Sequence, residues 1–559
     1  MIISYLPEDK PKKSVDIILV TGDIYIDHPS FGVAIIARVL TDAGYSVAIV
    51  SQPEYFNDNY LKELPEVSLF IGITSGNVDS VVANYSGMRN PRKSDSYCID
   101  GNPFFENGLR RRPDRATIVY TSFFKKRYKD IPFVLGGLEA SIRRFAHYDF
   151  VQQKIRKSIL VDSKADILVY SMGEKAVLEI AQRIKNRESF FGIRGTEIKL
   201  KDLKELPEDF KFIELPDYNS IIEKKYNLIK ATEIVEENMV FDKSMPLIQF
   251  QNPFYVLCFP NQPPLTESEL DKIYSLPFKK DYSDYCERVP AYKMIKDSIT
   301  SHRGCYGFCS FCAIHIHQGP TISCRSKNSI INEATILASK NNFKGTITDV
   351  GGPTANMYGT KCKIGWCKKP SCLFPEICPN LEIDSKKYID ILKKIKKINN
   401  IKNVFVSSGL RHDLCLVKLK ETEEIIKEFT SGHLKIAPEH TDDKILKLMR
   451  KPSNDKFKKF IDFFNKIKSK YNLKFYILPY IILSFPNSNN ESTKKMALFL
   501  KNNNIKTFQY QDFTPVPGTM ATAIFYARED KEGNALKIRE ISIYNNPERD
   551  IIKKILKFK

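Results

Sequence analysis

Short apolar segments alternate with amphipathic ones along this chain of 559 residues, and this alternation limits the fold more than any other feature. A strand, a helix and a further strand at such spacing form right-handed crossovers and a parallel sheet. We therefore predict an α/β class and, over residues 1–258, a doubly wound Rossmann-like domain. Its predicted strands are Val15–Val20, Val47–Val50, Leu69–Ile73, Ile131–Leu135 and Ile167–Tyr170, with a helix at Phe31–Ala43.

A second series follows a proline-rich segment at Phe259–Leu265, where consecutive prolines disfavour regular structure. We predict a linker over 259–289, a partial (β/α)6 TIM barrel over 290–528 and a basic C-terminal tail over 529–559, frayed near its end. Six strand–helix units are too few for a closed eight-unit barrel. The predicted strands are Lys296–Thr300, Thr346–Val350, Asn403–Ser407, Leu434–Ala437, Phe475–Leu483 and Thr507–Phe513; the helices are Ile330–Ser339, Tyr388–Ile398, Glu421–Phe429, Asp443–Met449, Phe457–Ser469 and Glu491–Leu500.

The charge and the cysteines indicate a cytoplasmic setting. The formal net charge is +20, which we assign to a general excess of lysine on solvated helix faces while leaving a nucleic-acid partner open. The first residues lack the apolar core of a signal peptide, and no apolar run is long enough to cross a membrane. In a reducing compartment, the 12 cysteines are not expected to form disulfides.

Three cysteines form the most informative motif. Cys305, Cys309 and Cys312 follow the first strand of the second series. Three thiolates do not complete a tetrahedral zinc site, but they are the ligands of a 4Fe–4S cluster whose fourth iron is left open. Spacing alone leaves two alternatives, which are a chance group of buried cysteines and zinc with a histidine as fourth ligand. The candidate histidines are His302, His315 and His317.

The motif C-x3-C-x-aromatic-C, placed after the first strand of a six-unit barrel, resembles the signature of the radical S-adenosylmethionine (SAM) superfamily. The chain resembles its YgiQ-like branch over nearly its whole length. The matching segments are GDIYIDHPSFG at 22–32, LGGLEASIRRFAHYD at 135–149, DSKADILVYSMGE at 162–174, GIRGT at 192–196, GGPTANMY at 351–358, LKIAPEH at 434–440 and TPVPGT at 514–519.

The resemblance implies a radical SAM enzyme with an unidentified substrate and an external electron donor such as flavodoxin or ferredoxin. A 4Fe–4S cluster would reductively cleave SAM to a 5′-deoxyadenosyl radical, which would take a hydrogen atom from that substrate. The residues expected near SAM are Phe311, Gly351, Gly352, Ser407 and Lys435, and Arg411 and Glu439 are substrate-site candidates.

One segment departs from the family pattern. The resemblance predicts a histidine and a glycine at positions 485 and 487, where this chain carries Phe485 and Asn487. That substitution puts in doubt a polar contact or a close backbone approach at the end of the fifth barrel strand.

A second group of cysteines comprises Cys362, Cys367, Cys372 and Cys378, in a loop with three prolines after the second barrel strand. Four thiolates suit zinc or a fully ligated iron–sulfur cluster, and free thiols are the remaining alternative. We expect the loop to lie on the barrel face that carries the first motif, with Trp366 as packing or as a surface lid.

The N-terminal domain offers weaker signals. Asp23, Asp27 and His28 follow its first strand, but the motif D-x-H-x-x-G of histidine-ligated cobalamin is not met because His28 directly follows Asp27. The Gly136-Gly137 turn is a weak phosphate signal. We expect a structural ion-pair network among Arg143, Arg144, His147 and Asp149.

Two other functions compete with the leading hypothesis. A non-catalytic protein that binds nucleic acid and is stabilised by iron–sulfur or zinc would carry a coordinatively complete centre. A tRNA-modifying radical SAM enzyme of the methylthiotransferase type needs a second cluster in its N-terminal domain, where only Cys98 and Cys258 occur.

Overall fold

The computed structural model describes residues 2–8, 10–240, 242–280, 285–365, 367, 371–505, 510–539 and 546–556. The N-terminal strands are β1 Ile2–Leu6, β2 Ser14–Thr21, β3 Val47–Ser51, β4 Glu66–Thr74, β5 Phe133–Leu135, β6 His147–Asp149, β7 Lys154–Arg156, β8 Ile167–Val169, β9 Thr196–Leu200, β10 Ile213–Glu214, β11 Leu247–Gln251 and β12 Phe254–Cys258. The helices are α1 Gly32–Asp42, α2 Asp58–Lys62, α3 Ser80–Asn84, α4 Ala116–Phe124, α5 Gly137–Ile142, α6 Ile159–Ser163, α7 Glu174–Asn186, α8 Tyr218–Glu223, α9 Asn227–Glu237 and α10 Glu267–Ser275.

A ten-stranded sheet organises this half, in the order β1-β3-β2-β4-β5-β8-β9-β12-β11-β10. Its centre, β3-β2-β4-β5-β8, is wholly parallel, which confirms the predicted doubly wound arrangement. The chain leaves β2 for β3 on one side and later returns to β4 on the other. The strand order therefore reverses between β2 and β4, where sheets of this kind bind ligands beyond the carboxyl ends of their strands.

The segment predicted as a linker contains a helix. α10 begins with a capping box in which Thr266 and Glu269 satisfy each other's backbone N–H groups. Its buried residues Leu270, Ile273 and Tyr274 pack against α1. The neighbouring prolines mask this start signal in the sequence, and the boundaries of the linker stay a prediction.

The second half has the strands β13 Ser298–Thr300, β14 His302–Arg303, β15 Ser323–Cys324, β16 Thr346–Ile347, β17 Asp349–Gly351, β18 Lys361–Cys362, β19 Leu381–Glu382, β20 Asn403–Val404, β21 His433–Glu439, β22 Tyr476–Leu483 and β23 Tyr510–Asp512. Its helices are α11 Pro290–Ile295, α12 Ile314–Gln318, α13 Lys327–Ala338, α14 Ser385–Lys396, α15 His412–Val417, α16 Leu419–Glu428, α17 Asp443–Met449, α18 Asn454–Lys470, α19 Asn490–Asn502, α20 Met520–Ala527 and α21 Pro547–Leu556.

The strands of the barrel pair in parallel, as the sequence predicts. β13 pairs with β17, β16 with β20, β21 with β22 and β22 with β23, and a parallel bridge joins Leu410 to Ile436. The predicted second strand is divided into β16 and β17, which pair with different neighbours. Residues 507–509 of the predicted sixth strand lie outside the described part of the chain.

The C-terminal segment is less frayed than we predicted up to residue 556. α21 packs on α19, with Ile552 buried in the barrel core. Its Glu548 is buried and accepts a hydrogen bond from the backbone N–H of Ser484 at 2.8 Å. In the described ranges, no helix combines the length and apolarity that crossing a bilayer requires.

The two halves are joined by buried ion pairs. Arg450, at the end of α17, forms a two-pronged pair with Glu236 of α9, at 2.7 and 3.1 Å. Both side chains are almost completely buried. A second pair joins Arg303 of the barrel to Glu174 of α7. Removing one partner of such a pair leaves an uncompensated charge in the protein interior.

We predict that Glu236→Ala lowers the free energy of unfolding by about 3–5 kcal/mol, because it strands the Arg450 guanidinium. Urea titration followed by circular dichroism measures the loss. Glu233→Ala is the control, since Glu233 is on the same helix and pairs with Lys531 at the surface. That change should cost less than about 1 kcal/mol. Equal losses in the two variants would contradict the prediction.

Candidate functional site

The three-cysteine loop is held between the two strands of a hairpin. β14 and β15 pair antiparallel, His302 with Cys324 and Arg303 with Ser323, and the loop with α12 fills the space between them. Gly304 has a φ of +83°, and a side chain there would overlap the carbonyl of Thr321. Glycine is therefore required at this position, and the close approach fixes the backbone at Gly304, directly before Cys305.

A serine in the middle of the loop attaches it to two other parts of the molecule. Ser310 N donates to Met449 O at 3.1 Å, and Ser310 Oγ donates to Leu448 O at 2.7 Å, both at the end of α17. Ser310 O accepts from Ala521 N of α20 at 2.9 Å. Sequence reasoning missed Ser310 because its role depends on backbone atoms more than 130 residues away.

The cysteine side chains converge on one side of the loop. A Cβ at Gly307 would lie 3.3 Å from Cys305 Sγ and 3.7 Å from Cys309 Sγ, so both sulfurs face the same small region. Backbone N–H groups point at the sulfurs of Cys305 and Cys312, at 3.4 and 3.5 Å. Burial raises the pKa of the Cys305 and Cys312 thiols, and the nearby Cys309 raises both further.

The described residues hold no group of three or more His, Cys, Asp or Glu side chains spaced for a single metal ion. The ligand assignment of the three cysteines stays a prediction. The candidate histidines do not complete a zinc site there. His317 Nδ1 lies 2.9 Å from Ser141 Oγ, and His315 stacks on Phe308.

Charged side chains surround the cysteines. Arg411 Nη1 lies 3.8 Å from Cys309 Sγ, while its other nitrogens pair with Asp413 at 2.6 and 3.1 Å. Glu439 lies 3.6 Å from Lys451 Nζ, and burial raises the pKa of its carboxyl group. Arg411 and Glu439, expected at strand ends, thus lie together beside the cysteine loop; their role toward a substrate stays a prediction.

The glycines after the second strand approach neighbouring side chains closely. A side chain at Gly351 would overlap Ser408, and one at Gly352 would lie 2.6 Å from the His302 ring.

The two serines after the third strand have different surroundings. Ser407 Oγ donates to Thr348 O at 2.7 Å, so its hydroxyl is engaged by the backbone. The adjacent Ser408 instead lines the space in front of the glycines and donates to Asp349. The expected role of Ser407 toward SAM stays a prediction.

Two further candidates lie at the same end of the barrel. Lys435, on β21, is close enough to Asp349 to lower the pKa of that carboxyl, while the larger effect of burial raises it. Phe311 meets Phe485 edge to face, with ring centroids 6.3 Å apart. The phenylalanine that departs from the family pattern therefore packs against the aromatic residue of the cysteine motif.

The four-cysteine loop lies against the three-cysteine loop, as expected from its place in the chain. Cys372 N donates to Tyr306 O at 3.3 Å, and Ser371 Oγ donates to Gly307 O at 3.0 Å. Cys372 and Cys378 pack on the same apolar cluster as Cys305. Cys362 lies on β18, which pairs with β19. The described residues around Cys367 are too few to define its contacts, and Trp366 lies outside them.

The polar residues of the N-terminal domain form ion-pair networks. Asp23 pairs with Arg112 at 2.8 Å, and Asp27 pairs with Arg38. His28 Nδ1 accepts from Ser30 N at 3.1 Å. The segment 143–149 also holds an ion-pair network, in which Arg143 contacts Asp79, His147 and Asp149. Arg144, which we expected in this network, instead donates to Ser141 O at 2.7 Å.

A cavity of about 530 Å³ opens between the sheet and the barrel. Its N-terminal wall includes the Gly136-Gly137 turn, and its barrel wall includes Gly351, Gly352 and Ser408. Its size is that of a small-molecule site. It connects the ligand-binding edge of the sheet with the candidate SAM residues of the barrel.

Comparison with protein families gives two matches that together span most of the chain. The Radical SAM N-terminal family matches residues 7–298, and the Radical SAM superfamily matches residues 299–500. The "UPF0313 protein" of Thermotoga neapolitana is 44% identical over 532 residues, covering 93% of this chain and 92% of that protein. A "UPF0313 protein" of Clostridium botulinum is 40% identical over 542 residues, covering 94% and 83%.

Solved structures share the fold at low sequence identity. The radical SAM methyltransferase TsrM from Kitasatospora setae, with cobalamin and a [4Fe-4S] cluster bound, has a TM-score of 0.53 at 12% identity, covering 98% of this chain and 91% of that chain. TsrM with its tryptophan substrate and a SAM analogue has a TM-score of 0.51 at 13% identity, covering 97% and 89%. With the family matches, these findings confirm the YgiQ-like resemblance, and the chain belongs to the radical SAM superfamily and, within it, to the UPF0313 family.

Proposed function

We propose that Cys305, Cys309 and Cys312 hold a 4Fe–4S cluster and that the enzyme uses it, with SAM, to abstract hydrogen from a substrate still to be identified. One observation carries the proposal: the three-cysteine loop, in which the sulfurs of Cys305 and Cys309 face the same small region, follows the first strand of a parallel barrel in a radical SAM chain. When bound, the cluster and SAM would supply a 5′-deoxyadenosyl radical.

The chain's own residues would place SAM beside the open iron. The backbone of Gly351 and Gly352 borders the cavity, and the SAM amino group would approach the backbone carbonyls there. Lys435 would pair with the SAM carboxylate, and Phe311 would border the bound molecule. Ser407 would contact the ribose as an acceptor, because its hydroxyl donates to Thr348 O and keeps its oxygen lone pairs.

Arg411 and the buried surroundings of the loop would support the cluster. The Arg411 guanidinium lies 3.8 Å from Cys309 Sγ and offers a positive charge to the thiolate form. Binding of iron requires deprotonated thiols, so cluster assembly must overcome the raised pKa values of Cys305 and Cys312. The N-terminal domain covers this end of the barrel and would exclude water from a reactive radical.

Radical SAM chemistry requires a reductant and a substrate. We propose flavodoxin or ferredoxin as the electron donor and the cytoplasm, which keeps thiols reduced, as the compartment. The tRNA-modifying alternative is disfavoured because Cys98 and Cys258, the two cysteines of the N-terminal domain, are both buried. Cys98 accepts from Gln52 Nε2, whereas Cys258 lies on β12. A nucleic-acid partner rests on the net charge of +20 alone.

Cobalamin is a second candidate cofactor, favoured by the cavity between the domains. TsrM shares the fold over nearly the whole chain and binds cobalamin together with its cluster. The cavity here connects the carboxyl edge of the sheet with Gly351 and Gly352. A corrinoid bound there would extend the enzyme's chemistry to methyl transfer.

Replacing any one of Cys305, Cys309 and Cys312 by Ala should remove the cluster, because two thiolates do not hold the three ligated irons. We expect complete loss of the visible absorbance of the cluster and no 5′-deoxyadenosine after SAM and dithionite. Cys258→Ser is the control, since Cys258 is buried on β12 away from the loop. A motif variant that keeps both signals would refute the assignment.

We expect the four-cysteine loop to stabilise the protein surface beside the cluster and not to bind SAM. Replacing Cys367 and Cys372 by Ser should remove zinc, or about four irons per chain if a second 4Fe–4S cluster is present. The first cluster and SAM cleavage should be mostly kept. Metal analysis and the yield of 5′-deoxyadenosine measure the two effects. Unchanged metal content would mean a metal-free loop, and loss of SAM cleavage with the first cluster intact would assign the loop to the SAM site.

A further inference from the structure

A buried arginine lies between the three-cysteine loop and a carboxylate. Arg411 is 5% exposed. One edge of its guanidinium, Nε and Nη2, donates to Asp413 at 3.1 and 2.6 Å, which is the two-pronged geometry that arginine favours with a carboxylate. Its third nitrogen, Nη1, lies 3.8 Å from Cys309 Sγ. The guanidinium therefore contacts the carboxylate on one side and a cysteine sulfur on the other.

Two neighbours hold the guanidinium in this position. The amide of Asn356 binds the backbone of Arg411 in both directions: Asn356 Oδ1 accepts from Arg411 N at 3.1 Å, and Asn356 Nδ2 donates to Arg411 O at 3.0 Å. A Cβ at Gly307 would lie 3.0 Å from Arg411 Nη1 and 3.3 Å from Cys305 Sγ. Because position 307 has no side chain, the guanidinium can approach the sulfurs closely.

The pair is ionised at neutral pH. Burial raises the pKa of Asp413, but the charge and the hydrogen bonds of Arg411 lower it to about 2. Arginine keeps its proton in proteins, so the pair has no net charge. Its positive member is the one in contact with Cys309, so the pair acts as a dipole whose positive end faces the sulfurs.

We infer that Arg411 raises the reduction potential of the cluster held by the three cysteines and that Asp413 positions Arg411 and limits the rise. The inference rests on the proposed function, because it concerns the proposed cluster. In the reduction step the donor loses one electron and the cluster gains it, so the negative charge at the loop increases by one. A positive charge and an N–H donor beside a ligand sulfur stabilise that reduced form.

This role suits Arg411 better than the substrate contact expected from the sequence. Its Nε and Nη2 are engaged by Asp413, and its Nη1 faces Cys309. Arg411 also does not line the cavity between the domains, whereas Gly351 and Gly352 do. A substrate that enters this cavity therefore does not reach the guanidinium directly.

The test measures the midpoint potential of the cluster in the full chain, reconstituted anaerobically and titrated without SAM. The electron paramagnetic resonance signal of the reduced cluster gives the reduced fraction at each potential. Arg411→Gln removes the positive charge, and we expect the equilibrium constant for reduction to fall about tenfold, which lowers the midpoint by about 59 mV for one electron. Arg411→Lys keeps the charge and should stay closer to the wild-type midpoint.

Asp413→Asn should shift the midpoint in the opposite direction, upward and also by about tenfold in the equilibrium constant, because the full charge of Arg411 then acts on the sulfurs. Loss of packing alone would not give opposite shifts in the two variants. Lys327→Gln and Asp390→Asn are the matched controls, since these residues form an ion pair between α13 and α14 at the surface. Solvent and salt screen such a pair, so the midpoint should not change.

The outcomes separate this inference from the proposed function. An unchanged midpoint in both Arg411→Gln and Asp413→Asn, or shifts of the same sign, would overturn the inference, and the proposed function would stand if 5′-deoxyadenosine still forms. Opposite shifts without SAM cleavage would leave the inference standing and refute hydrogen abstraction. A wild type that assembles no cluster would refute both. Iron content and thermal unfolding report whether each variant is loaded and folded; if Arg411→Gln holds no cluster, the sign of the Asp413→Asn shift decides.

Discussion

The close passage of two backbone segments at Gly304 and Thr321 is the contact on which the site depends. Because Gly304 has no side chain, the Thr321 carbonyl occupies the space that a Cβ atom would fill, and the hairpin β14–β15 continues from that point. The ends of the cysteine loop are thereby fixed, and Ser310 fixes its middle to α17 and α20. Three thiols in a reduced protein would otherwise sample many arrangements, at a cost in entropy when a cluster binds.

Much of the fold follows from the sequence, because apolar periodicity reports which face of an element is buried. Helix α17 spans the predicted Asp443–Met449, and α13 covers most of the predicted Ile330–Ser339. Helix α10 was missed because prolines precede its capping box. The antiparallel extension of the sheet beyond β8 was also missed. Pairing direction depends on partners distant in sequence, which periodicity does not report.

The candidate site was predictable in its motifs and less so in its contacts. The cysteine motif and Gly351-Gly352 identify the barrel end and the family, while the ligand assignments stay predictions. Ser407 and Ser408 show the limit of predicting contacts from sequence. The two residues are adjacent at a strand end, but the Ser408 side chain lines the cavity whereas the Ser407 hydroxyl donates to the backbone. The ion pair of Glu174 with Arg303 could not be predicted, because two domains meet there.

Helix α20 has a consequence for the order of events during biosynthesis. Its buried residues Met520, Ala523 and Ile524 pack with α9, and its Ala521 N–H holds Ser310 in the cysteine loop. The ribosome makes the cysteines more than 200 residues before this helix. The loop therefore gains this contact only after residue 521 has left the exit tunnel. A chain stalled before α20 would carry the three cysteines in a loop that lacks the hydrogen bond from Ala521 N–H to Ser310 O.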